Sequence, residues 1–420
     1  MLDPATASAM LSHFDYSVPG IDATKPEPRA FERLRYAKRY PSSSFLKQEA
    51  QKRLPRFAFD FLAGGLGRGR AVARNEQAFD NVTLTPRYLV DLSTIDTSVE
   101  LFGRRWAMPL GVSPVGFGSL YWPRGERALA QAAQIAGVPF AQSTFSNETI
   151  EDIGRLAGSS FWFQIYACKD RGVTLDLVAR ASASGATALL VTIDTPSLSK
   201  RELDWRNGLT LSMRPTLRQI LAASTCPRWA VERALAGAPR LKTLEAYVPP
   251  HLRGTGEGLD ALYELTDTWC DWATFDDIRR AWNGPLILKG VLDIDMARQA
   301  IDRGADALLV SNHGGRQFDA AEPTIQAVPR IFEALGSRCP ILLDSGVRSG
   351  LDVLRSMSRG ASFCLSGRLF YYGMAALREH GAEHVMAMVG DELRRELMQY
   401  GRPSATQVME EAVAMHGSRK

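Results

Sequence analysis

The stretch ALLVSNHGGRQFD (307–319) joins an uninterrupted apolar run to a polar, glycine-rich turn. An apolar run that does not alternate with polar residues is typical of a strand buried on both faces, as in a parallel sheet. Outward from this stretch, seven more such runs occur along the chain, and many of them also end in a polar or glycine-rich turn: MPLGVSP (108–114), VPFAQST (138–144), SFWFQIY (160–166), ALLVTID (188–194), PLILKGV (285–291), PILLDSG (340–346) and SFCLSGR (362–368).

The segments between these runs have helical spacing. ERALAQAAQIAG (126–137) and LDVLRSMSRGA (351–361) carry apolar residues at helical intervals and close with glycine. Strand and helix in alternation, eight times over, predict the α/β class and a TIM (β/α)₈ barrel. An open doubly wound sheet is the alternative, but no predicted strand is followed by the GxGxxG turn that would favour it.

Two segments lie outside this alternation and divide the chain. Residues 1–85 are predicted to form an N-terminal helical and loop extension, residues 86–405 the barrel, and residues 406–420 a C-terminal tail. Residues 197–280 separate the fourth and fifth strands as a long insertion with prolines, basic residues and tryptophans. Structureless loops of this length are uncommon, so we expect a partly helical lid or partner surface, with a solvated excursion as the alternative.

The composition limits the partners and the location. The 420 residues carry 50 basic and 46 acidic side chains, a balance that does not indicate nucleic acid but is compatible with an anionic ligand. The five cysteines include no CxxC pair, so we expect reduced cysteines in a cytoplasmic protein without a metal site. No apolar stretch of about 18 residues is present, and the N-terminus lacks a signal-peptide pattern.

Polar residues collect where the predicted strands end. In a TIM barrel the active site lies at the carboxyl ends of the strands. Those ends here carry Gln164, Tyr166, Thr192, Asp194, Lys289, Ser311, His313, Asp344, Arg348 and Arg368. This clustering predicts an enzyme with its site at one rim of the barrel.

The turn that follows residue 310 is the most informative one. His313 supplies a base that takes a proton near neutral pH, the two glycines after it let the backbone approach a ligand, and Arg316 offers a planar fork for a carboxylate. A histidine in a turn is often only structural. Arg316 three residues on, and Asp194 at another strand end, favour a catalytic role instead.

The turns DSGVRSG (344–350) and SGR (366–368) follow the last two predicted strands. Loops in these positions often bind phosphate in TIM barrels, so we predict a phosphate site there, with two ordinary glycine turns as the alternative.

Lys289 ends another predicted strand. A buried lysine needs an anionic partner, so we expect Lys289 to face an anionic group of a ligand. A Schiff-base lysine and an amine that simply reaches solvent are the alternatives.

Taken together, these residues resemble a known family. SNHGGRQ (311–317), VTIDTP (191–196), LKG (288–290) and LLDSGVRSG (342–350) resemble the FMN-dependent 2-hydroxy acid oxidases and dehydrogenases, which include glycolate oxidase, L-lactate dehydrogenase and mandelate dehydrogenase. The resemblance runs from roughly residue 45 to residue 405. It implies a flavoprotein oxidoreductase that uses FMN to convert an L-2-hydroxy acid, lactate- or mandelate-like, to the 2-oxo acid.

The resemblance also implies residue roles. His313 would abstract a proton, Asp194 would hydrogen-bond His313, Arg316 and Arg201 would hold the substrate carboxylate, and Tyr166 would contact the substrate. Pro114, Val115 and Gly116 would pass along the flavin edge near N5, and Lys289 would lie at N1/O2. Hydrogen bonds to the isoalloxazine or ribityl groups would come from Ser143, Gln164, Thr192 and Ser311. The ribityl and phosphate groups would be held by Asp344, Gly346, Arg348, Gly367 and Arg368.

Two departures from the family pattern stand out. In RLPRFAFDFLAGG (53–65), Phe61 stands where the family carries a tyrosine that helps bind the carboxylate. The lost hydroxyl corresponds to about 0.5–1.5 kcal/mol, so either Arg316 and Arg201 suffice or the substrate is unusual and more apolar. The family's acidic GGAED pattern is also replaced by GGLGRGR (64–70), a change without a clear explanation.

Acceptor, location and assembly follow from weaker signals. Gly116 stands where oxidases of the family often carry alanine, which favours a dehydrogenase that passes electrons to a quinone or carrier over an oxidase using O₂. The basic residues and tryptophans of the insertion fit a segment at the inner face of the membrane as well as a polar lid. The family implies a homotetramer.

Three alternative functions remain: oxidation of an amine or biosynthetic substrate, a catalytically silent FMN-binding barrel, and a Schiff-base lyase that uses Lys289.

Overall fold

A computed structural model describes residues 30–197, 199–209, 215–266, 269–335 and 338–417. Its centre is a closed barrel of eight parallel strands. The barrel strands are β3 (Leu110–Val112), β4 (Phe140–Ser143), β5 (Phe161–Ile165), β6 (Ala188–Thr192), β7 (Leu286–Val291), β8 (Ala307–Val310), β9 (Ile341–Leu343) and β10 (Phe363–Ser366). They pair around the barrel in chain order, and β10 closes it against β3. Each lies within one of the eight predicted runs, so the TIM barrel is confirmed.

Closure of the barrel excludes the open doubly wound sheet. The last strand pairs in parallel with the first, with Ser366 opposite Val112. The strands are buried throughout, apart from the half-buried Gly290, because one face packs inside the barrel and the other packs under helices. An antiparallel hairpin of β1 (Val99–Leu101) and β2 (Arg104–Trp106) precedes the barrel.

Helices connect successive barrel strands, as the spacing predicts. They are α5 (Gly125–Ala136), α6 (Ile150–Ala157), α7 (Arg171–Ala183), α12 (Trp272–Ala281), α13 (Ile294–Asp302), α14 (Thr324–Leu335) and α15 (Gly350–Ser358), followed after β10 by α16 (Arg368–Leu377), α17 (Glu379–Tyr400) and α18 (Ala405–Gly417). No helix in the described ranges is long and apolar enough to cross a membrane.

The N-terminal extension is helical where it is described. It contains α1 (Ala30–Arg39), α2 (Ser43–Arg53), α3 (Arg56–Ala63) and α4 (Arg70–Asp80). Helix α2 packs on α16, and α4 packs on α14 and on the turn that follows β8. The extension therefore reaches the barrel rim that carries the predicted site.

The insertion is also partly helical. It contains α8 (Glu202–Arg206), α9 (Leu217–Ser224), α10 (Pro227–Ala236) and α11 (Gly256–Thr266). Helix α12, which falls within the predicted 197–280 range, packs against α7 as an outer barrel helix does, and α18 fills most of the range 406–420 predicted as a tail. The division into extension, barrel, insertion and tail remains a prediction at these boundaries.

Candidate active site

A cavity of about 240 Å³ opens at the carboxyl ends of the barrel strands. Most of the predicted site residues line it, namely Pro114, Val115, Gly116, Ser143, Tyr166, Arg201, Lys289, His313, Arg316, Asp344, Gly346, Arg348, Gly367 and Arg368. The other four lie next to lining residues: Gln164, Thr192 and Ser311 are buried, and Asp194 is half-buried. Gln164 accepts a hydrogen bond from Ser143, and Ser311 accepts one from Lys289. Asp194 is hydrogen-bonded to His313. Thr192 lies opposite Lys289 on the neighbouring strand.

The cavity contains a histidine–carboxylate pair. Nδ1 of His313 lies 2.8 Å from Oδ1 of Asp194, and the hydroxyl of Tyr166 lies 3.4 Å from Nε2. Burial by itself would raise the pKa of Asp194, but the charges of His313 and Lys289 lower it below its ordinary value. An ionised carboxylate on Nδ1 leaves Nε2 free to take a proton and stabilises the imidazolium that results.

Glycine at position 290 lets this carboxylate approach the barrel. Gly290 has φ of +107° and sits at a register shift between β7 and β8. A Cβ atom there would lie 2.7 Å from Cβ of Asp194. The local bulge therefore makes room for Asp194 beside His313.

The turn that carries the histidine has a left-handed backbone. His313, Gly314 and Gly315 have φ of +56°, +64° and +74°, a conformation that a side chain disfavours. Two buried amides hold the turn, because Asn75 and Asn312 exchange hydrogen bonds of 2.7 and 2.8 Å. Sequence reasoning missed Asn75, since nothing local marks a residue 237 positions away from its partner.

Lys289 is a buried cation with two carboxylate neighbours. Its Nζ lies 3.4 Å from Asp344, 3.9 Å from Asp194 and 2.8 Å from the hydroxyl of Ser311. Burial would lower the pKa of Lys289, but the charges of Asp344 and Asp194 raise it above its ordinary value. A Schiff base needs a neutral amine, so this environment disfavours the lyase alternative.

Two guanidinium groups flank Phe61, the residue that departs from the family pattern. The guanidinium carbons of Arg316 and Arg201 lie 4.9 and 5.0 Å from the centre of its ring. Arg316 also donates to the Phe61 carbonyl at 2.7 Å, and Arg201 pairs with Asp204 at 2.9 Å. Burial, Arg201 and Arg368 all lower the pKa of Arg316. Positive charges held together in this way favour an anionic ligand.

A second pair of arginines lies at the predicted phosphate turns. Arg368 donates to the carbonyls of Leu62, Gly64 and Gly314 at 2.6–3.0 Å. Arg348 pairs with Glu76 at 2.9 Å. Burial and the charge of Arg348 lower the pKa of Arg368. This end of the cavity therefore also favours an anionic ligand.

Orphaned polar atoms test whether FMN fits this cavity. Nε2 of Gln164 and Oγ1 of Thr192 are buried without a hydrogen-bond partner in the described residues, and buried amides and hydroxyls are seldom left so. A Cβ at Gly116 would lie 2.9 Å from Phe145, and one at Gly367 would lie 2.9 Å from Val115, so both positions keep the backbone bare. Free donors, bare backbone and cations at both ends suit a flat ring with a phosphate tail.

Aromatic residues that sequence reasoning did not single out also line the cavity. Phe117, Phe145 and Tyr263 stack with ring centres 6.1–6.4 Å apart. Tyr121 packs on Phe61 with ring centres 6.4 Å apart. Tyr121 lies a few residues after the predicted strand 108–114, in the segment GSLYWPRGERALA (118–130), and this position near a strand end was the available signal, whereas nothing local marks Tyr263.

Comparison with known proteins identifies the family. The model of the FMN-dependent dehydrogenase family matches residues 50–415. This chain belongs to the FMN-dependent dehydrogenases. Membership confirms the predicted family and the predicted FMN cofactor.

Two relatives of this FMN-dependent dehydrogenase are L-lactate dehydrogenases. The protein from Caulobacter vibrioides is 39% identical over 353 residues, which cover 84% of this chain and 92% of the relative. The protein from Xanthomonas euvesicatoria is 37% identical over 378 residues, which cover 89% and 96%. The similarity therefore spans almost the whole of each relative.

Solved structures of the same fold carry other names. A structure described as the monotopic membrane protein (S)-mandelate dehydrogenase superposes with a TM-score of 0.84 at 33% identity, covering 89% of this FMN-dependent dehydrogenase and 98% of that chain. Mandelate oxidase with (S)-4-hydroxymandelic acid superposes with a TM-score of 0.76 at 34% identity, covering 88% and 98%.

Proposed function

We propose that this FMN-dependent dehydrogenase oxidises an L-2-hydroxy acid, lactate- or mandelate-like, to the 2-oxo acid, with His313 as the base. The observation that carries the proposal is the convergence on one cavity of an imidazole bonded to a carboxylate and of the guanidinium groups of Arg316 and Arg201. A base beside a carboxylate clamp suits an alcohol carbon that is flanked by a carboxylate. The names of the relatives support the same substrate class.

The reaction removes two electrons and two protons from the alcohol, which becomes a ketone. When bound, FMN would accept the two electrons and the proton that His313 does not take. Arg316 and Arg201 bind the substrate carboxylate and so orient the α-carbon. His313 takes one proton at Nε2, either from the hydroxyl or from the carbon, and Asp194 stabilises the charged imidazole. Tyr166, whose hydroxyl is 3.4 Å from Nε2, orients that nitrogen.

Flavin bleaching tests the base. Holoenzyme is mixed anaerobically with L-lactate, L-mandelate and longer 2-hydroxy acids while flavin absorbance is followed. We expect wild type to bleach with at least one of them and His313→Gln to bleach at least about 100-fold more slowly. His251→Gln, at an exposed position in the insertion, is the control and keeps the wild-type rate. Equal rates for His313→Gln and wild type would contradict the role of His313.

The aromatic lining favours a substrate side chain larger than a methyl group. Phe117, Phe145 and Tyr263 offer ring faces on which an aryl or long apolar group would pack. We therefore expect kcat/KM for L-mandelate to exceed that for L-lactate by about 10-fold or more. A preference for L-lactate would contradict this part of the proposal, and turnover of an amine alone would support the atypical-substrate alternative.

We further propose that the electron acceptor is a quinone or carrier, as Gly116 indicates. A Cβ at this position would lie 2.9 Å from Cβ of Phe145, so an alanine would require Phe145 to move. We expect turnover with dichlorophenolindophenol to exceed oxygen consumption under air. Rapid oxygen consumption would identify an oxidase instead.

An exposed apolar surface supports peripheral contact with the inner face of the membrane. On α9 and α10, Leu217, Leu221 and Leu235 are 72%, 60% and 84% exposed, and Ile220 and Val231 lie beside them in sequence at 52% and 58%. We call these five residues the insertion surface. The opposite side of α10 is fixed to the barrel, because Trp229 and Arg233 donate to the carbonyls of Leu120 and Ser119.

Vesicle flotation tests this contact. Apolar side chains with basic neighbours such as Arg218 and Arg228 are typical of segments that lie at anionic lipid surfaces. We expect wild type to float with vesicles of phosphatidylglycerol and phosphatidylcholine, and Leu221→Ser/Leu235→Ser not to. Ile135→Ser, which removes a half-exposed isoleucine from α5, is the control. Equal flotation of all three proteins would rule out the insertion surface as the membrane contact.

Light scattering tests the tetramer that the family resemblance implies, and we expect the mass of four chains.

A further inference from the structure

The carboxylate site lacks the hydroxyl that a tyrosine at position 61 would supply. Phe61 presents its ring, and not a donor, to Arg316 and Arg201, with distances of 4.9 and 5.0 Å from guanidinium carbon to ring centre. This arrangement holds the guanidinium groups by cation–π attraction. An anion bound beside these arginines therefore receives one hydrogen bond fewer than it would with a tyrosine at position 61.

Another tyrosine occupies the adjoining wall of the same cavity. Tyr121 lines the cavity, is only 3% exposed, and packs on Phe61 with ring centres 6.4 Å apart and planes 31° apart. Its other neighbour is Tyr371, with ring centres 5.5 Å apart. In the described parts of the chain, the Tyr121 hydroxyl makes no hydrogen bond. Because Tyr121 lines the cavity and its hydroxyl is not engaged by these residues, the hydroxyl is a donor available to a ligand there.

The loop that carries Tyr121 is held firmly. It follows β3, and the preceding residues are fixed on three sides: the Ser119 backbone N–H donates to Asn147, Trp229 donates to the Leu120 carbonyl, and Arg233 donates to the Ser119 carbonyl. The insertion thus fixes the position of a ring in the barrel cavity. A donor that is held in place before the ligand arrives loses little entropy on binding.

The electrostatic surroundings of Tyr121 suit an anion and keep the donor protonated. Burial raises the pKa of Tyr121 to about 12, although the charges of Arg316 and Arg201 oppose this shift. The hydroxyl therefore carries its proton throughout the neutral range. The same arginines that would bind the substrate carboxylate therefore act electrostatically on this hydroxyl.

We propose that Tyr121 supplies the phenolic hydrogen bond to the substrate carboxylate, in place of a tyrosine at position 61. Phe61 and Tyr121 together then form one recognition unit in which the ring that contacts the arginines and the hydroxyl that contacts the ligand belong to different residues. The inference rests on the proposed function for the identity of the carboxylate, but not for the presence of an anion site.

Anion binding tests this assignment apart from catalysis. Oxalate is titrated into the FMN-loaded enzyme by calorimetry, and KM for L-mandelate is measured in parallel. We expect Tyr121→Phe to weaken oxalate binding and to raise KM by about 10-fold or more, as for a lost hydrogen bond to a charged group. The control is Tyr88→Phe, which removes a hydroxyl from an exposed tyrosine that does not line the cavity and leaves both constants within about twofold of wild type.

A reciprocal variant distinguishes a lost hydrogen bond from damaged packing. Phe61→Tyr/Tyr121→Phe returns a hydroxyl to position 61, and we expect it to regain most of the lost oxalate affinity. Unchanged oxalate affinity in Tyr121→Phe, or an equal or larger loss in Tyr88→Phe, would overturn the proposal. Because oxalate binding needs no turnover, it reports on Tyr121 even if no 2-hydroxy acid reduces the enzyme, an outcome that would contradict the proposed function alone.

Discussion

The N-terminal extension and the insertion both lie outside the strand–helix alternation and both reach the active-site rim, yet they contribute different atoms. The extension contributes the groups that hold the arginines, because carbonyls in residues 61–64 accept hydrogen bonds from Arg316 and Arg368 and the Phe61 ring contacts Arg316. The insertion contributes side chains, because Arg201 and Tyr263 line the cavity. The extension positions the arginines of the barrel turns, and the insertion adds Arg201 and an aromatic ring beside the substrate.

This difference predicts which kinetic constant each region controls. Backbone acceptors that hold buried guanidinium groups set the geometry of cofactor and carboxylate, so changes in the extension should lower kcat and FMN content. Side chains from the insertion contact the substrate, so changes there should alter KM and selectivity. Four variants test this division.

Gly315→Ala should have the largest effect. Gly315 has φ of +74°, and a Cβ there would lie 2.7 Å from the backbone nitrogen of Val72 in the extension. The clash would displace the turn that carries His313, and we expect kcat to fall at least about 100-fold with loss of bound FMN. Gly69→Ala is the matched control, since φ is +72° but no atom lies within 4 Å. Similar losses in both variants would mean that backbone strain, and not the contact, is responsible.

Asn75→Ala should have the next largest effect. It leaves the buried amide of Asn312 without two of its hydrogen bonds, and we expect the free energy of unfolding to fall by about 1–3 kcal/mol. Because Asn312 precedes His313, kcat should fall as well. Urea unfolding and steady-state rates are measured beside Asn81→Ala, an exposed position at the end of the same helix. An unchanged kcat would show that the amide pair supports folding only.

Tyr263→Leu should act on KM alone. It removes the ring that stacks on Phe117 and Phe145, and aromatic contacts of this kind contribute about 0.5–1.5 kcal/mol. We expect KM for L-mandelate to rise about 2- to 10-fold, with kcat and KM for L-lactate nearly unchanged. Tyr263→Phe keeps the ring and should behave as wild type. A fall in kcat with both substrates would contradict the assignment of the insertion to side-chain recognition.

Leu221→Ser/Leu235→Ser should have the smallest effect on the enzyme in the absence of vesicles. Both side chains are exposed on the insertion surface, and such substitutions usually change stability by less than about 0.5 kcal/mol. We expect Tm and kcat with a soluble acceptor to match wild type, while vesicle binding is lost. A marked fall in Tm would indicate that another part of the protein covers this surface.

The predictions made from the sequence succeed where the signal is local. Eight short apolar runs identify the barrel strands, because a strand buried on both faces is apolar at most positions and turns polar mainly toward its carboxyl end. Because the carboxyl ends of parallel strands meet at one rim, the sequence alone assigns His313, Asp194 and Lys289 to one site. The glycines after His313 are explained by the left-handed backbone that the turn adopts.

The sequence by itself determined the barrel, the family, the cofactor and the set of residues that follow the strands. Only the tertiary structure decided how segments outside the barrel complete the cavity: the Asn75–Asn312 pair, the two arginines on Phe61, and Tyr121 beside that ring. The physical reason is that strand and turn patterns repeat over a few residues, whereas these contacts join distant segments. Their meeting depends on how helices pack, and no local pattern encodes that.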